Sequence, residues 1–222
     1  MRLIAIDTAL EDCAVGVIDG AREILISETI GRGHAERLMG MVAAAMEEAG
    51  LAYRDLDRIA VTVGPGSFTG LRVGIAAARG LALTTGVPAI GIGTLAVHAE
   101  TARHEIGATP VLAVLAAGRG ELYGQSFAAD GAPAGPPEAA PAATFARRLG
   151  ANTLIAGSGA PALAEILGDE ARARTVHQRS APDLAALCRL GAAAPLTGQA
   201  PRPLYLRPPD TKPQTAGRIA RR

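Results

Sequence analysis

Apolar and polar positions alternate over residues 3–8, with β-branched Ile4 and Ile6, and the pattern returns over 13–18 and 24–29. Short alternating runs of this kind predict strands. Residues 9–12 and the pair Asp19-Gly20 read as the turns between them, so the chain opens as an antiparallel three-stranded meander. The period then lengthens to that of a helix, with Leu38, Met41, Val42, Ala45, Met46 and Ala49 on one face and Gly50 as the stop. A β-branched strand over 59–63, a helix from about 69 to 85, a strand over 89–92 and a helix capped by Thr94 and running to about His104 complete a βββαβαβα order. The strands joined by helices are expected to be parallel.

The order then repeats in weaker form. Residues 111–115 and 122–127 flank Gly118-Arg119-Gly120 as a hairpin, and a Pro-, Ala- and Gly-rich stretch over 130–141 reads as a loop. A short helix, a strand over 153–156, a helix over 161–167, a strand over 173–177 and a helix over 182–193 follow. Gly107 and Pro110 punctuate the junction. The expected organisation is a first domain over 1–106, a second, reduced one over 107–207 and a Pro-rich, basic, disordered tail over 208–222.

Strand 59–63 runs into Gly64-Pro65-Gly66-Ser67-Phe68-Thr69-Gly70-Leu71-Arg72-Val73-Gly74. Gly64, Gly66 and Gly70 permit positive φ or close approach, while Ser67 and Thr69 can cap the following helix. A helix start of this composition suits an anion, and a structural tight turn accounts for it equally well. The spacing is not that of a Walker loop: five residues separate Gly64 from Gly70, and Leu71-Arg72 stand where Lys-Ser/Thr would. It is not a dinucleotide fingerprint either, because Thr69 occupies the place of the third glycine.

Composition narrows the classes. Lys and Arg total 22 against 21 Asp and Glu, a net charge of +1, which does not describe a nucleic-acid-coating protein. With three Phe, three Tyr and no Trp there is little material for stacking on single-stranded bases. Lys212 is the sole lysine, a bias that matches the heavy use of Ala, Gly and Pro and carries no function. Asp7 interrupts the N-terminal segment where a leader would be apolar, and no apolar run approaches the ~20 residues of a membrane span, so a cytoplasmic protein is expected. Cys13 and Cys188 have no C-x-x-C spacing and read as free thiols.

The chain resembles the TsaB (YeaZ) family. The resemblance rests on Ile6-Asp7-Thr8, on His34 heading the first helix, on the whole string from Gly64 to Gly74, on Gly80-Leu81-Ala82 and on Gly93-Thr94-Leu95. Looser matches are Gly120-Glu121-Leu122-Tyr123 and Pro203-Leu204-Tyr205-Leu206-Arg207. It implies an actin-like ATPase fold made of two ribonuclease-H-like halves. It also implies a non-catalytic subunit that pairs with itself and with TsaD, which transfers threonylcarbamoyl to adenosine 37 of tRNA, alongside a TsaE-type ATPase. No cofactor of its own is implied, apart from a nucleotide that could be shared at the partner interface, and tRNA is met only through the complex. One departure stands out: Ala116-Ala117-Gly118 replaces the family's Asp-Ala-Arg.

The residue chemistry points the same way. His34 has Leu38, not a second ligand, one turn on; His98 and His104 are about 240° apart round a helix; His177 is isolated, so no local metal pair forms. Asp7 could hold Mg²⁺, but no lysine accompanies it, and a turn-forming carboxylate is the plainer reading. Gly70, Gly74 and Ala78 make a bare stripe that would let another helix close in. Under the resemblance, His34, Leu38, Met41, Val42, Gly70, Leu71, Gly74, Ala78 and Leu81 form the partner interface. Asp7, Thr8, Gly64, Gly66, Ser67 and Thr69 shape the neighbouring loop and its anion site, if it has one. Two alternatives stay open: a free-standing ATPase built on Asp7 and the glycine turn, and an RNA adaptor using the basic tail.

Overall fold

The structure, a computed structural model, describes residues 1–207; the predicted tail over 208–222 and its RNA contact lie outside the described residues. Strands β1 (Arg2–Asp7), β2 (Asp12–Asp19) and β3 (Arg22–Thr29) form the expected meander. Helix α1 (His34–Ala49) leads to β4 (Arg58–Gly64), α2 (Phe68–Thr85), β5 (Ala89–Gly93) and α3 (Thr94–Ile106). The sheet order is β3-β2-β1-β4-β5, with β4 parallel to β1 and β5 parallel to β4.

The second half repeats this topology in full. Strands β6 (Val111–Gly118), β7 (Glu121–Phe127) and β8 (Glu138–Pro141) are followed by α4 (Ala142–Arg148), β9 (Leu154–Ala156), α5 (Ala160–Leu167), α6 (Asp169–Arg174), β10 (Thr175–His177) and α7 (Leu184–Ala193). Its sheet reads β8-β7-β6-β9-β10, the same connectivity as the first. The architecture is the duplicated actin-like one. The loop expected over 130–141 hides β8, whose Glu-Ala-Ala-Pro sequence has little strand propensity and is held by its ladder to β7. The strand expected over 173–177 is shortened because α6 takes residues up to Arg174.

Period-2 alternation in β1 sends its side chains to two different layers. Ile4 and Ile6 pack with Leu38, Val42 and Met46 of α1 and with Leu71, Ile75 and Ala78 of α2. Leu3 and Ala5, on the other face, pack with Ala60, Ile92 and the α7 residues Leu184, Leu187 and Cys188. In the second sheet, Leu112, Val114 and Ile155 meet Phe145 of α4 and Leu163 of α5. Val111, Ala113, Leu115 and Phe127 face Leu95, Ala99 and Ala102 of α3. Each half therefore lends its last helix to the other's sheet. Helix α7 comes close enough to β4 that a Cβ on Gly191 would lie 2.5 Å from the Ala60 Cβ. Arg58 stops α7 by donating to the carbonyls of Gly191, Ala192 and Ala194 at 3.2, 2.9 and 2.6 Å, a cation on a helix C-terminus. No helix among the described residues is long and apolar enough to cross a membrane.

Candidate functional site at the glycine turn

The ends of β1 and β4 lie side by side, so the turn after Asp7 meets the turn after Gly64. Ser67 caps α2, its Oγ accepting from the Gly70 amide at 3.3 Å. Its own amide donates to the Ala9 carbonyl at 2.6 Å, and the Thr8 hydroxyl donates to the Gly70 carbonyl at 2.7 Å. The glycines exist for this contact. A Cβ on Gly66 would fall on the Ala9 carbonyl oxygen, one on Gly70 on the Thr8 carbonyl oxygen and one on Gly74 on Thr8 Oγ1. Gly64 adopts φ 110°, closed to L-residues, with the Leu204 carbonyl against it. A phosphate held by this turn would need free amides, yet those of Ser67 and Gly70 are committed inside the fold. The turn as folded does not fit a nucleotide phosphate on those two donors.

Asp7 is fully enclosed. Oδ1 accepts from Thr62 Oγ1 at 2.6 Å and from the Ala9 amide at 3.1 Å, so it forms the turn bond expected of it. Oδ2 is buried with no partner. Burial pushes its pKa from 3.8 to about 6; the Thr62 and Ala9 bonds pull it down and Asp12 adds a little to the rise. A carboxyl whose folded pKa lies above its unfolded value gives stability that is complete below pH 3.8 and is lost as the pH rises through about 6. We therefore expect the stability of the native chain relative to Asp7→Asn to fall by about 2.5 kcal/mol between pH 4 and pH 8, at roughly 1.4 kcal/mol per pKa unit. Urea titrations of both chains across that range would read it, and parallel curves would contradict it.

Across from the turn, Leu10, Glu11, Pro65, Gly66 and Ser67 of the first half face Leu115, Ala116, Ala117 and Tyr123 of the second over a cleft of about 370 Å³. Ala116 presents only a methyl group there; its amide is taken by Ser158 Oγ at 3.2 Å. A strap of chain closes one side of the junction. Leu204 N donates to Val63 O at 2.7 Å, and Arg207 donates to Ala117 O at 2.6 Å and pairs with Glu121.

A sequence model of the family described as "TsaD: tRNA N6-adenosine threonylcarbamoyltransferase" matches residues 25–187. The chain is 40% identical over 130 residues to the tRNA threonylcarbamoyladenosine biosynthesis protein TsaB of Escherichia coli, covering 59% of this chain and 56% of that protein. It is also 40% identical over 139 residues to a tRNA N6-adenosine threonylcarbamoyltransferase of Cereibacter sphaeroides, 53% of this chain and 38% of that one. The matched stretches thus span about half or less of these two relatives. The solved structure of YeaZ from Pseudomonas aeruginosa superposes with a TM-score of 0.75 at 31% identity, over 92% of this chain and 99% of that one. The chain belongs to the TsaB (YeaZ) family.

Within this family member the residues expected at a partner interface point inward. Leu38, Met41 and Val42 are core residues of α1, and Gly70, Leu71, Gly74 and Ala78 form the buried face of α2. The bare stripe on α2 was expected to admit a neighbouring helix; it admits Thr8 at the end of β1. A small-residue stripe announces close approach without saying by what. His34 is buried too, with Nε2 3.2 Å from the Asp12 carbonyl oxygen. Leu81 is half-buried. The exposed side of the two helices carries Met39, Gly40, Ala43, Ala76, Gly80 and Leu83 instead. Thr94, expected as a cap, is the first helical residue; Gly93 takes the cap position, and the Thr94 hydroxyl is buried without a partner.

The histidines also meet differently from the expectation. His98 on α3 and His177 at the end of β10 lie with ring centroids 5.3 Å apart, a pairing that local spacing could not reveal. His98 Nε2 donates to the Ser180 carbonyl at 3.0 Å, and burial, helped by His177, pushes its pKa down to about 3. Among the described residues, no three His, Cys, Asp or Glu side chains converge as metal ligands.

Proposed function

We propose that this TsaB-family chain serves threonylcarbamoyladenosine formation on tRNA as a partner subunit that binds and activates a TsaD-type transferase, without catalysing the transfer to adenosine 37 itself. The observation carrying this reading is the match to YeaZ over 99% of that chain, joined to the identity with a relative named for threonylcarbamoyladenosine biosynthesis. The glycine turn supports it, because the Ser67 amide is spent on the Ala9 carbonyl and the Gly70 amide on the Ser67 cap, so neither is free for a phosphate.

The first half, over 1–106, offers the docking face. The outer sides of α1 and α2 present Met39 and Leu83, 48% and 87% exposed, around Gly40, Ala43, Ala76 and Gly80. Small residues beside exposed apolar ones let another helix pair settle closely. The same face would serve a second copy of the chain. A TsaE-type ATPase joins the assembly in this reading, the setting is the cytoplasm, and the second half over 107–207 completes the scaffold.

The deciding experiment adds the chain to the TsaD-type transferase of the same cell and measures threonylcarbamoyladenosine on tRNA. Product formed only when both are present, and none from this chain alone, is the expected outcome. Equal product without it would sink the partner role. Heat on titrating the isolated chain with Mg·ATP, lost in Asp7→Ala, would move an ATPase reading to the front.

A further inference from the structure

Phe68 and Tyr205 are two of only six Phe and Tyr residues in the chain, and both are exposed, 36% and 40%. They meet each other beside one arginine, which lies over the Phe68 ring. The Arg72 guanidinium carbon lies 3.7 Å from the Phe68 ring centroid and 5.9 Å from that of Tyr205, and the two rings are 5.0 Å apart at 33°. Arg72 Nε donates to the Tyr205 hydroxyl at 2.9 Å. The strap holds Tyr205 from both sides, through Leu204 on Val63 and Arg207 on the β6–β7 hairpin. An exposed arginine ordinarily samples many rotamers; this one is fixed at its Nε, which leaves the two terminal nitrogens as a pre-oriented fork.

That fork has no acid to meet. Helix α2 carries Arg72 and Arg79 and no Asp or Glu along its 18 residues. Among the described residues neither guanidinium lies within ion-pair distance of a carboxylate. The groove beside the stack, between the starts of α1 and α2, holds Arg32 and Glu36, one charge of each sign. A nucleic-acid strand draws its affinity from several phosphate contacts at once, whereas α2 carries two cations and the groove beside it adds one cation and one acid. The Phe68 face under the guanidinium is closed to a base. A fixed Arg framed by Phe and Tyr is the composition of a protein–protein hot spot, and its pre-ordering lowers the entropic cost of docking.

We propose that the Phe68–Arg72–Tyr205 stack receives a side-chain carboxylate of the partner transferase, held end-on by the two terminal nitrogens of Arg72. The inference rests on the partner reading above and assigns it a specific contact. The test measures binding of the full chain to the purified TsaD-type transferase, by calorimetry, for the native sequence and three variants whose melting is checked. Arg72→Glu should weaken binding about 30-fold, the scale of a hot-spot residue. Arg72→Lys, which keeps the charge and loses the planar fork, should weaken it about tenfold. Tyr205→Phe, which keeps the ring and frees Nε, should weaken it about threefold. An Asp or Glu of the transferase, changed to Arg, should restore binding to Arg72→Glu. If the native chain binds and the variants bind equally well, the carboxylate contact is wrong and the partner reading stands. If the native chain does not bind, the partner reading itself fails and the contact falls with it. Loss of tRNA affinity in Arg72→Glu, with transferase binding intact, would overturn the proposal in favour of a phosphate.

Discussion

Gly74→Arg is expected to leave the chain unfolded. The position looks like the obvious place to block a helix–helix contact, since it lies on a bare stripe of α2. Its missing side chain faces inward, however: a Cβ would strike the Thr8 hydroxyl and lie 3.4 Å from Val61 and 3.6 Å from Ile6, in the first sheet. The arginine would have to push α2 off β1, break the bond from Thr8 to the Gly70 carbonyl and bring a guanidinium into the layer of Ile4, Ile6 and Leu71. Overpacking costs about 1–3 kcal/mol and a stranded buried hydrogen-bonding group about as much again, before any cost of the charge. Those sums approach the whole stability of an ordinary domain. Circular dichroism of the purified variant should show loss of the cooperative transition. Even Gly74→Ala should lower the urea midpoint by about 2 kcal/mol of stability. A folded Gly74→Arg that merely failed to bind a partner would show that α2 packs differently.

The second large effect concerns a fragment. Residues 1–106 contain every strand of the first sheet, and the sequence punctuation at Gly107 and Pro110 invites a cut there. The fragment is expected not to fold. Leu3, Ala5, Ala60 and Ile92 are covered by Leu184, Leu187 and Cys188, which would be on the other piece. Helix α3 would keep its place in the fragment but lose Val111, Ala113, Leu115 and Phe127, the residues it buries. Burying one such aliphatic side chain is worth about 1.5–3 kcal/mol, so several are lost on each side of the cut. Co-expression of 1–106 with 107–222 should recover a soluble complex, because the two surfaces are complementary. Amide exchange on the lone fragment would decide: slow exchange in β1 and β4 would mean that the first sheet needs no cover from α7.

Much of this was legible in the chain. Alternation in β1 to β3, the period of α1 and the glycine string placed the first half closely, because each of those signals is local. What was lost is what pairing and packing decide. Strand β8 reads as loop since Ala and Pro carry no strand preference; its ladder to β7 makes it a strand. Helix α7 is amphipathic, but amphipathicity does not name the sheet a helix will cover. The chemistry of the glycine turn was half visible. The spacing of Gly66, Gly70 and Gly74 announced close approach, while the identity of the neighbour, the turn at Thr8 and Ala9, came only from two strand ends lying side by side. His98 and His177 are separated by most of the second half, and no spacing rule joins them. Arg72 and Tyr205 likewise meet only because the strap returns along β4.

The lending of α7 to the first sheet also sets the order of events during synthesis. Strands β1 to β5 leave the ribosome early, but the helix that seals one of their faces, and the arginine clamp that ends it, are complete only once Ala194 has emerged. For most of translation the apolar residues of β1, β4 and β5 that α7 covers have no cover to fold against. Closure of the first half thus waits for a helix encoded almost at the end of the second.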